Sequence, residues 1–264
     1  MEQRGSMDEY LNSVNLNNCL WITVLAAGRI YGAMYFCPLF SGNYLPQLLK
    51  MALALFLAWI IFPYFNNYQI HILNITGNLV LLIKEIAIGI MLGFLFSFPL
   101  WLVENVGNLI DMQRGEQLGA IVNQTTQNPS SSISQFMLQS FIAYIVVMNG
   151  LLFFFQSVLQ SFLIFPIDKL LPENVFGNLE IYIDYFARYC YWVVILALPL
   201  LFILFLMDLT LGLIGSFVPS MNITILAMPI KSLVALFFLI FYIGVIYHVD
   251  INKFMEPIKG FLLK

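Results

Sequence analysis

Residues 104–134, ENVGNLIDMQRGEQLGAIVNQTTQNPSSSIS, form a polar and glycine-containing island between long hydrophobic blocks. Its first half carries charges and glycines, and its second half carries amides, hydroxyls and a proline. The chain on both sides of the island is strongly apolar, so the island separates two hydrophobic halves. We expect any moving or gating part of the protein to lie here.

The composition indicates a membrane protein. Of the 264 residues, 61% are hydrophobic and 9% are charged, whereas an ordinary soluble domain has about 25% charged residues. The surplus apolar surface requires a non-aqueous environment, so the chain is predicted to be an integral membrane protein or a subunit buried in one. The formal net charge is -3. The sequence also has no basic patch that would neutralise phosphates, so nucleic-acid binding is not expected.

No motif in the chain indicates an enzyme, a metal site or a cofactor. The three cysteines, Cys19, Cys37 and Cys190, are far apart and have the spacing of neither a disulfide framework nor a metal site. The two histidines, His71 and His248, are also isolated. Nucleophile-elbow, phosphate-loop and zinc-protease motifs are missing from the sequence. We therefore predict a non-enzymatic protein without metal or cofactor.

Six apolar stretches are long enough to cross a bilayer core of about 30 Å as helices, and no sustained alternation predicts a β-barrel. The predicted fold is all-α. Prolines within or at the ends of these stretches predict kinked helices whose freed carbonyls need partners from neighbouring helices or water. The spans are 20–40, 47–64, 79–103, 136–165, 187–218 and 224–249, and the prolines are Pro38, Pro63, Pro99, Pro166, Pro199, Pro219 and Pro229.

Five charged residues lie inside apolar context: Arg29, Lys84, Glu85, Asp208 and Lys231. A charge at a helix centre costs roughly 2.5–3.5 kcal/mol on insertion scales. Such side chains are therefore expected to face protein or water and not lipid.

The last two spans flank the turn VPSMN at 218–222, where Pro219 and Asn222 favour a reversal of the chain. An antiparallel helical hairpin is predicted. Asp208 before the turn and Lys231 after it then lie at similar depth. Either the two side chains pair across the hairpin, or each finds a partner on a different subunit.

Two pairs of glycines have the four-residue spacing that allows another helix to approach closely. For Gly89 and Gly93, helix packing is favoured over a gating hinge. Gly115 and Gly119 lie among polar residues, where each glycine also weakens a helix by roughly 1 kcal/mol, and both interpretations stay open.

Within the island, residues 104–119 are able to continue the preceding helix, which would bring Asp111 and Arg114 together on one face. The following amides compete for backbone hydrogen bonds, and Pro129 disfavours helix at the residue before it. The serines at 130–132 offer a cap to the next helix. This pattern predicts either a re-entrant, plug-like element or an ordinary exposed loop.

Three segments resemble one known family. KEIAIGIMLGFLFSFPLWLVENVGNLIDMQRGEQLGAIVNQTTQNP at 84–129, DLTLGLIGSFVPSMNITILAMPIKS at 208–232 and RIYGAMYFCPLFSGNYLP at 29–46 resemble type III secretion export-apparatus proteins, called SctT or SpaR in injectisomes and FliR in flagella. The intact QRG is closer to the injectisome, or virulence, branch. Asn128 stands where the family pattern has aspartate, and Ser220 stands where it has glutamine.

The resemblance implies a non-enzymatic subunit of the export gate in the bacterial inner membrane. Several copies of the R and S components and the switch protein U would be its partners, and unfolded secreted proteins would pass through the shared channel. The family's helices largely lie displaced toward the periplasmic side of the membrane plane. The implied parts are a polar segment 1–19, an R-like part 20–186 with a plug loop 106–129, an S-like hairpin 187–250 and a basic tail 251–264.

In the implied plug, glycines would provide freedom, apolar residues would block the pore, and polar residues would hold the element closed. The glycines are Gly107, Gly115 and Gly119, the apolar residues are Leu118, Ile121 and Val122, the polar residues are Asp111, Gln113 and Arg114, and Asn128 and Pro129 end the loop.

The alternative from another functional class is a stand-alone secondary transporter. Its broken helices and buried charges would bind a small solute and a coupling ion. Such a protein is expected to have two similar halves, and the sequence contains no convincing internal repeat.

Overall fold

The computed structural model describes residues 20–41, 45–61, 75–115, 132–167, 179–217 and 223–248. These residues form seven α-helices and one short 3-10 turn, without a strand. The all-α prediction is confirmed. The helices are α1 (Leu20–Phe36), α2 (Gln47–Ile61), α3 (Ile75–Arg114), α4 (Ser132–Val147), α5 (Gly150–Ile164), α6 (Leu179–Phe217) and α7 (Ile223–His248), and the 3-10 turn is Pro38–Phe40.

Within the described part of the chain, three helices are long and apolar enough to cross a membrane: Gly77–Arg114, Phe186–Phe217 and Leu226–Val245. A fourth span results if α4 and α5 are counted together. The shorter apolar helices are α1 and α2. Prolines 99, 199 and 229 lie inside α3, α6 and α7, as the sequence predicted.

The predicted span at 136–165 is not one straight helix, because the chain breaks between α4 and α5, which are bent by 73°. Asn149 has a φ of 58°, the left-handed conformation that asparagine tolerates better than most residues and that commonly ends a helix. Gly150 follows, and a Cβ there would collide with Ile145. Hydropathy averaged over a span does not detect such a two-residue break.

The described residues divide into two compact units. The first contains α1, α2, the part of α3 up to Ser97, and α5 from Leu151. The second contains the rest of α3 from Phe98, together with α4, α6 and α7.

In the first unit, α1 and α3 cross with their backbones in contact. A Cβ added to Gly89 would overlap the carbonyl oxygen of Arg29, and one added to Gly93 would overlap that of Ala33. From the opposite side, a Cβ on Gly32 would lie 2.8 Å from the carbonyl oxygen of Ile86. Only glycine permits this approach. The predicted helix packing at Gly89 and Gly93 is confirmed, and the partner helix is α1.

Close to this crossing, Glu85 binds two cations. Its Oε2 accepts a hydrogen bond from Arg29 Nε at 2.6 Å, and its Oε1 lies 2.7 Å from Lys84 Nζ. The second contact is an ion pair without hydrogen-bond geometry. Arg29 and Glu85 are 0% exposed and Lys84 is 8% exposed. The prediction that these charges face protein or water is confirmed, because they face one another inside the protein.

Further donors of the two cations bind the last turn of α5 and the residues that follow it. Arg29 donates to Ser161 Oγ at 3.2 Å and to the Phe165 carbonyl at 2.8 Å. Lys84 Nζ donates to the carbonyls of Pro166 and Ile167 at 3.2 and 3.3 Å. Carbonyls at a helix C-terminus carry partial negative charge, so they offset the excess positive charge of two cations around one carboxylate.

Aromatic packing completes the core of this unit. The guanidinium of Arg29 lies 4.1 Å from the centre of the Phe162 ring, a cation–π arrangement. The 3-10 turn after α1 places Phe40 against Phe154, with ring centres 5.3 Å apart, and Phe96 of α3 meets Phe154 edge-on at 5.0 Å. Helices α1, α3 and α5 therefore share both a charged and an aromatic centre.

Replacing Gly89 by alanine is expected to lower the unfolding free energy by about 1–3 kcal/mol, the usual cost of overpacking, because the new methyl group overlaps the α1 backbone. Thermal unfolding of the purified protein in detergent measures the effect. Gly244→Ala is the matched control, since nothing lies within 4 Å of a Cβ at that helical glycine. Equal unfolding temperatures for the two variants would contradict the close crossing.

Replacing Glu85 by glutamine is expected to destabilise the protein by about 3–5 kcal/mol, because it leaves two buried cations without their anion. Chemical denaturation in detergent measures this loss. Glu104→Gln removes a partly exposed carboxylate from the same helix and should have a much smaller effect. A similar loss in both variants would show that Glu85 does not hold the cluster.

Candidate functional site

The structure describes the first part of the polar island. Residues 104–114 continue α3, so the first part of the predicted plug loop, 106–114, is helical. Gly115 follows with a φ of +88°, a conformation that favours glycine and ends the helix. The predicted site residues Leu118, Gly119, Ile121, Val122, Asn128, Pro129, Pro219 and Asn222 lie outside the described residues.

Gly107 lies where α3 packs closely against α4. It lies inside α3, and a Cβ there would come within 2.5 Å of Ser134 Cα on α4. This close contact between helices offsets the roughly 1 kcal/mol that glycine costs in a helix. It also explains why α3 continues through a glycine in a polar stretch.

Asp111 binds a donor at each of its carboxylate oxygens. Its Oδ1 accepts a hydrogen bond from Arg114 Nε at 2.6 Å, as predicted for two residues on one helix face. Its Oδ2 accepts the backbone N–H of Ser134 at 3.0 Å. Ser134 is the third residue of α4, and N–H groups in a first helical turn have no partner within the helix. Asp111 therefore caps α4 from another helix, where the helix dipole also favours an anion.

Two further side chains connect the end of α3 to the hairpin α6–α7. Gln113 Nε2 donates to Asp208 Oδ2 on α6 at 3.0 Å, and Arg114 lies 3.5 Å from the Ser232 hydroxyl on α7. Asp208 Oδ1 forms an ion pair with Lys231 on α7. Of the two arrangements left open by the sequence, the structure has Asp208 and Lys231 paired across the hairpin.

We call this group of side chains the α3 terminal network. It joins the last turn of α3 to α4, α6 and α7, and its two cations balance its two carboxylates. Its members are Asp111, Gln113, Arg114, Ser134, Asp208, Lys231 and Ser232. Glu85, the remaining predicted site residue among those described, belongs to the cluster of the first unit.

The chemistry of the network is that of a connector. Each carboxylate oxygen named above accepts from a cation, an amide or a backbone N–H. Losing one partner of a buried ion pair costs about 3–5 kcal/mol, and an unpaired buried N–H adds about 1–3 kcal/mol. Among the described residues, no group of three or more His, Cys, Asp or Glu is placed to hold a metal ion.

Sequence reasoning missed several uncharged residues of this region. Ser134 and Ser232 take part through a backbone N–H and a hydroxyl. Asn105 on α3 donates to the Tyr189 hydroxyl on α6 at 2.6 Å, a second connection between these helices. Serine, asparagine and tyrosine are common near helix ends, so no spacing in the sequence distinguishes these residues.

Comparisons with known proteins agree with this architecture. The family described as "Bacterial export proteins, family 1" matches residues 20–256. The Yop proteins translocation protein T of Yersinia pestis is 28% identical over 195 residues, which cover 74% of this chain and 75% of the relative. The secretion system apparatus protein SsaT of Salmonella typhimurium is 29% identical over 249 residues, 90% and 95% of the two chains. The flagellar biosynthetic protein FliR of Bacillus subtilis is 28% identical over 236 residues, 88% and 89%.

The family match covers most of the chain, and the relatives include proteins of both secretion and flagellar systems. Together with three helices able to cross a membrane, the match identifies an integral protein of the bacterial inner membrane. The resemblance predicted from the three motif segments is confirmed. The chain belongs to family 1 of the bacterial export proteins, as a type III export-apparatus protein of the SctT, FliR and SpaR kind with injectisome-like relatives.

Proposed function

We propose that this chain is a non-enzymatic pore subunit of a type III export gate. With R and S components and the switch protein U, it forms the channel through which unfolded secreted proteins leave the cytoplasm. Membership of the export family supports this proposal, as do relatives named for translocation and for a secretion apparatus.

The observation that carries the proposal is the exposed apolar surface of the hairpin. In the span Leu226–Val245, 11% of the most apolar stretch is buried within the chain, and in Phe186–Phe217 the share is 28%. The span in α3 reaches 44%. Meanwhile two charges inside the apolar part of the hairpin, Asp208 and Lys231, are already paired with each other. A surface that is apolar and has its charges satisfied is suited to burial against neighbouring subunits and lipid.

The division of the chain follows from the same proposal. Residues 20–186 form the R-like part, and the hairpin 187–250 is the S-like part, between a polar segment 1–19 and a basic tail 251–264. Packed among R and S neighbours, the helices lie displaced toward the periplasmic side of the membrane plane. The prolines inside α3, α6 and α7 favour protein neighbours, which are able to satisfy the carbonyls freed by each proline.

Within the gate, residues 106–129 act as the plug of the closed pore. The helical residues up to Arg114 anchor it through the α3 terminal network, and the chain leaves this anchor at Gly115. Leu118, Ile121 and Val122 supply the apolar bulk that blocks passage. Gly119 gives this part its freedom, and Asn128 and Pro129 end it.

The described residues offer little support for a stand-alone transporter. A solute site needs charged groups that are available to bind a substrate and its coupling ion. The charges predicted inside the spans, Arg29, Lys84, Glu85, Asp208 and Lys231, instead bind one another. We therefore propose a pore subunit of an export gate and not a stand-alone transporter.

Intact-complex mass spectrometry of the affinity-purified full chain tests the subunit assignment. We expect one species that contains this chain together with several copies of the R and S components, because the hairpin surface needs protein neighbours. A stable monomer or plain homodimer without export components would contradict the proposal.

Deleting residues 116–127 tests the plug and spares the α3 terminal network. We expect assembly to persist and ion leakage across the membrane to rise, measured as loss of membrane potential with a voltage-sensitive dye. Replacing the same residues by a glycine–serine segment of equal length controls for the chain connection, and should also leak because it lacks apolar bulk. An assembled deletion complex that remains tight would assign these residues a purely scaffolding role.

A further inference from the structure

Asp111 brings together the two helices that flank the proposed plug. One oxygen binds Arg114 in the last turn of α3, and the other binds the Ser134 N–H in the first turn of α4. The Asp111 side chain is 2% exposed, and Gly107 one turn earlier removes the side-chain bulk that would keep α4 away. The end of α3 and the start of α4 are therefore held at one point by a single carboxylate.

Asp208 also joins two other helices through its two carboxylate oxygens. One oxygen accepts from Gln113, the neighbour of Arg114 in the last turn of α3, and the other binds Lys231 on α7. The Asp208 side chain is 34% exposed and that of Lys231 is 13% exposed. The hairpin end of the network is thus the more accessible end, and the Asp111 end is enclosed.

We propose that Asp111 and Asp208 form a two-carboxylate latch that couples the hairpin α6–α7 to the junction of α3 and α4. Asp111 is a positioning residue for that junction. Asp208 links the hairpin to the last turn of α3, so the position of the hairpin affects the junction. This inference rests on the proposed function, because the junction bounds the proposed plug. A displacement of the hairpin withdraws Asp208 from Gln113 and loosens the last turn of α3.

The donor and acceptor chemistry predicts what asparagine changes at each of the two positions. Asp111 faces two donors, and Asp208 also faces two donors. An ionised carboxylate only accepts hydrogen bonds, whereas an asparagine amide presents an oxygen on one side and an N–H on the other. At position 111, asparagine satisfies one donor and turns its own N–H toward the second. At position 208, the Gln113 amide is able to rotate and accept the asparagine N–H, so the loss there is the negative charge that pairs with Lys231. The substitution preserves size and weakens each bridge.

The experiment measures ion leakage per assembled complex in cells that carry the full chain. The variants are Asp111→Asn, Asp208→Asn and the double variant, with Glu104→Gln as a control that removes a carboxylate from the same helix. We expect each single variant to raise leakage about tenfold, the equilibrium shift that loss of a hydrogen bond to a charged group produces. The double variant should leak no more than the leakier single variant, because coupled residues act non-additively. Glu104→Gln should stay tight.

Two rescues separate latching from simple misfolding. In a Cys190→Ser background, Asp111→Cys with Ser134→Cys should form a disulfide that lowers leakage, and reduction should raise it again. The exchange of Asp208→Lys with Lys231→Asp should also restore a tight gate, because the Gln113 amide is able to rotate and accept from the new lysine. A disulfide that forms without lowering leakage would overturn the latch.

The other outcomes separate the latch from the plug. If complexes that lack residues 116–127 leak ions and Asp111→Asn complexes stay tight, the latch proposal is wrong and the plug proposal stands. Leakage of the double variant equal to the product of the two single effects would show that Asp111 and Asp208 act independently, which also overturns the latch. If the deletion itself stays tight in assembled complexes, the plug proposal fails and the latch fails with it.

Discussion

The first unit depends on one requirement: a buried carboxylate has to neutralise cations that cannot remain in an apolar interior alone. Glu85 binds Arg29 of α1 and Lys84 of its own helix, and both cations extend to the end of α5. The glycines at the α1–α3 crossing bring the backbones close enough for this short ion pair. Close packing and charge pairing therefore support each other.

Shared carboxylates recur through the molecule. Glu85 binds two cations in the first unit, and Asp111 and Asp208 each have a partner at both carboxylate oxygens in the second. In each case at least one donor comes from a different helix. The two oxygens of a carboxylate make it a compact connector between helices, and the low dielectric of an apolar interior strengthens each bond. A small number of acidic residues thus sets the positions of many hydrophobic ones.

Local sequence predicted the helices and some of their contacts. Hydropathy located the apolar helices. Because Asp208 and Lys231 are at similar distances from the turn, the sequence also predicted that they lie at similar depth. The break at Asn149 was missed, because it changes backbone conformation within a uniformly apolar stretch. The partners of Arg29 were also missed, since they lie 56 to 136 residues away and only tertiary packing brings them together. The contact of Asp111 with Ser134 had no signal either, because any residue supplies a backbone N–H.

The position of Arg29 also determines the order in which the chain is able to enter a bilayer. Its carboxylate partner is synthesised 56 residues later, and its last acceptor 136 residues later. Until α3 emerges, the guanidinium in α1 lacks the carboxylate of Glu85, and its insertion into lipid costs roughly 2.5–3.5 kcal/mol. We therefore expect stable insertion of α1 to depend on the arrival of α3, so that the first unit enters the membrane cooperatively and not one helix at a time.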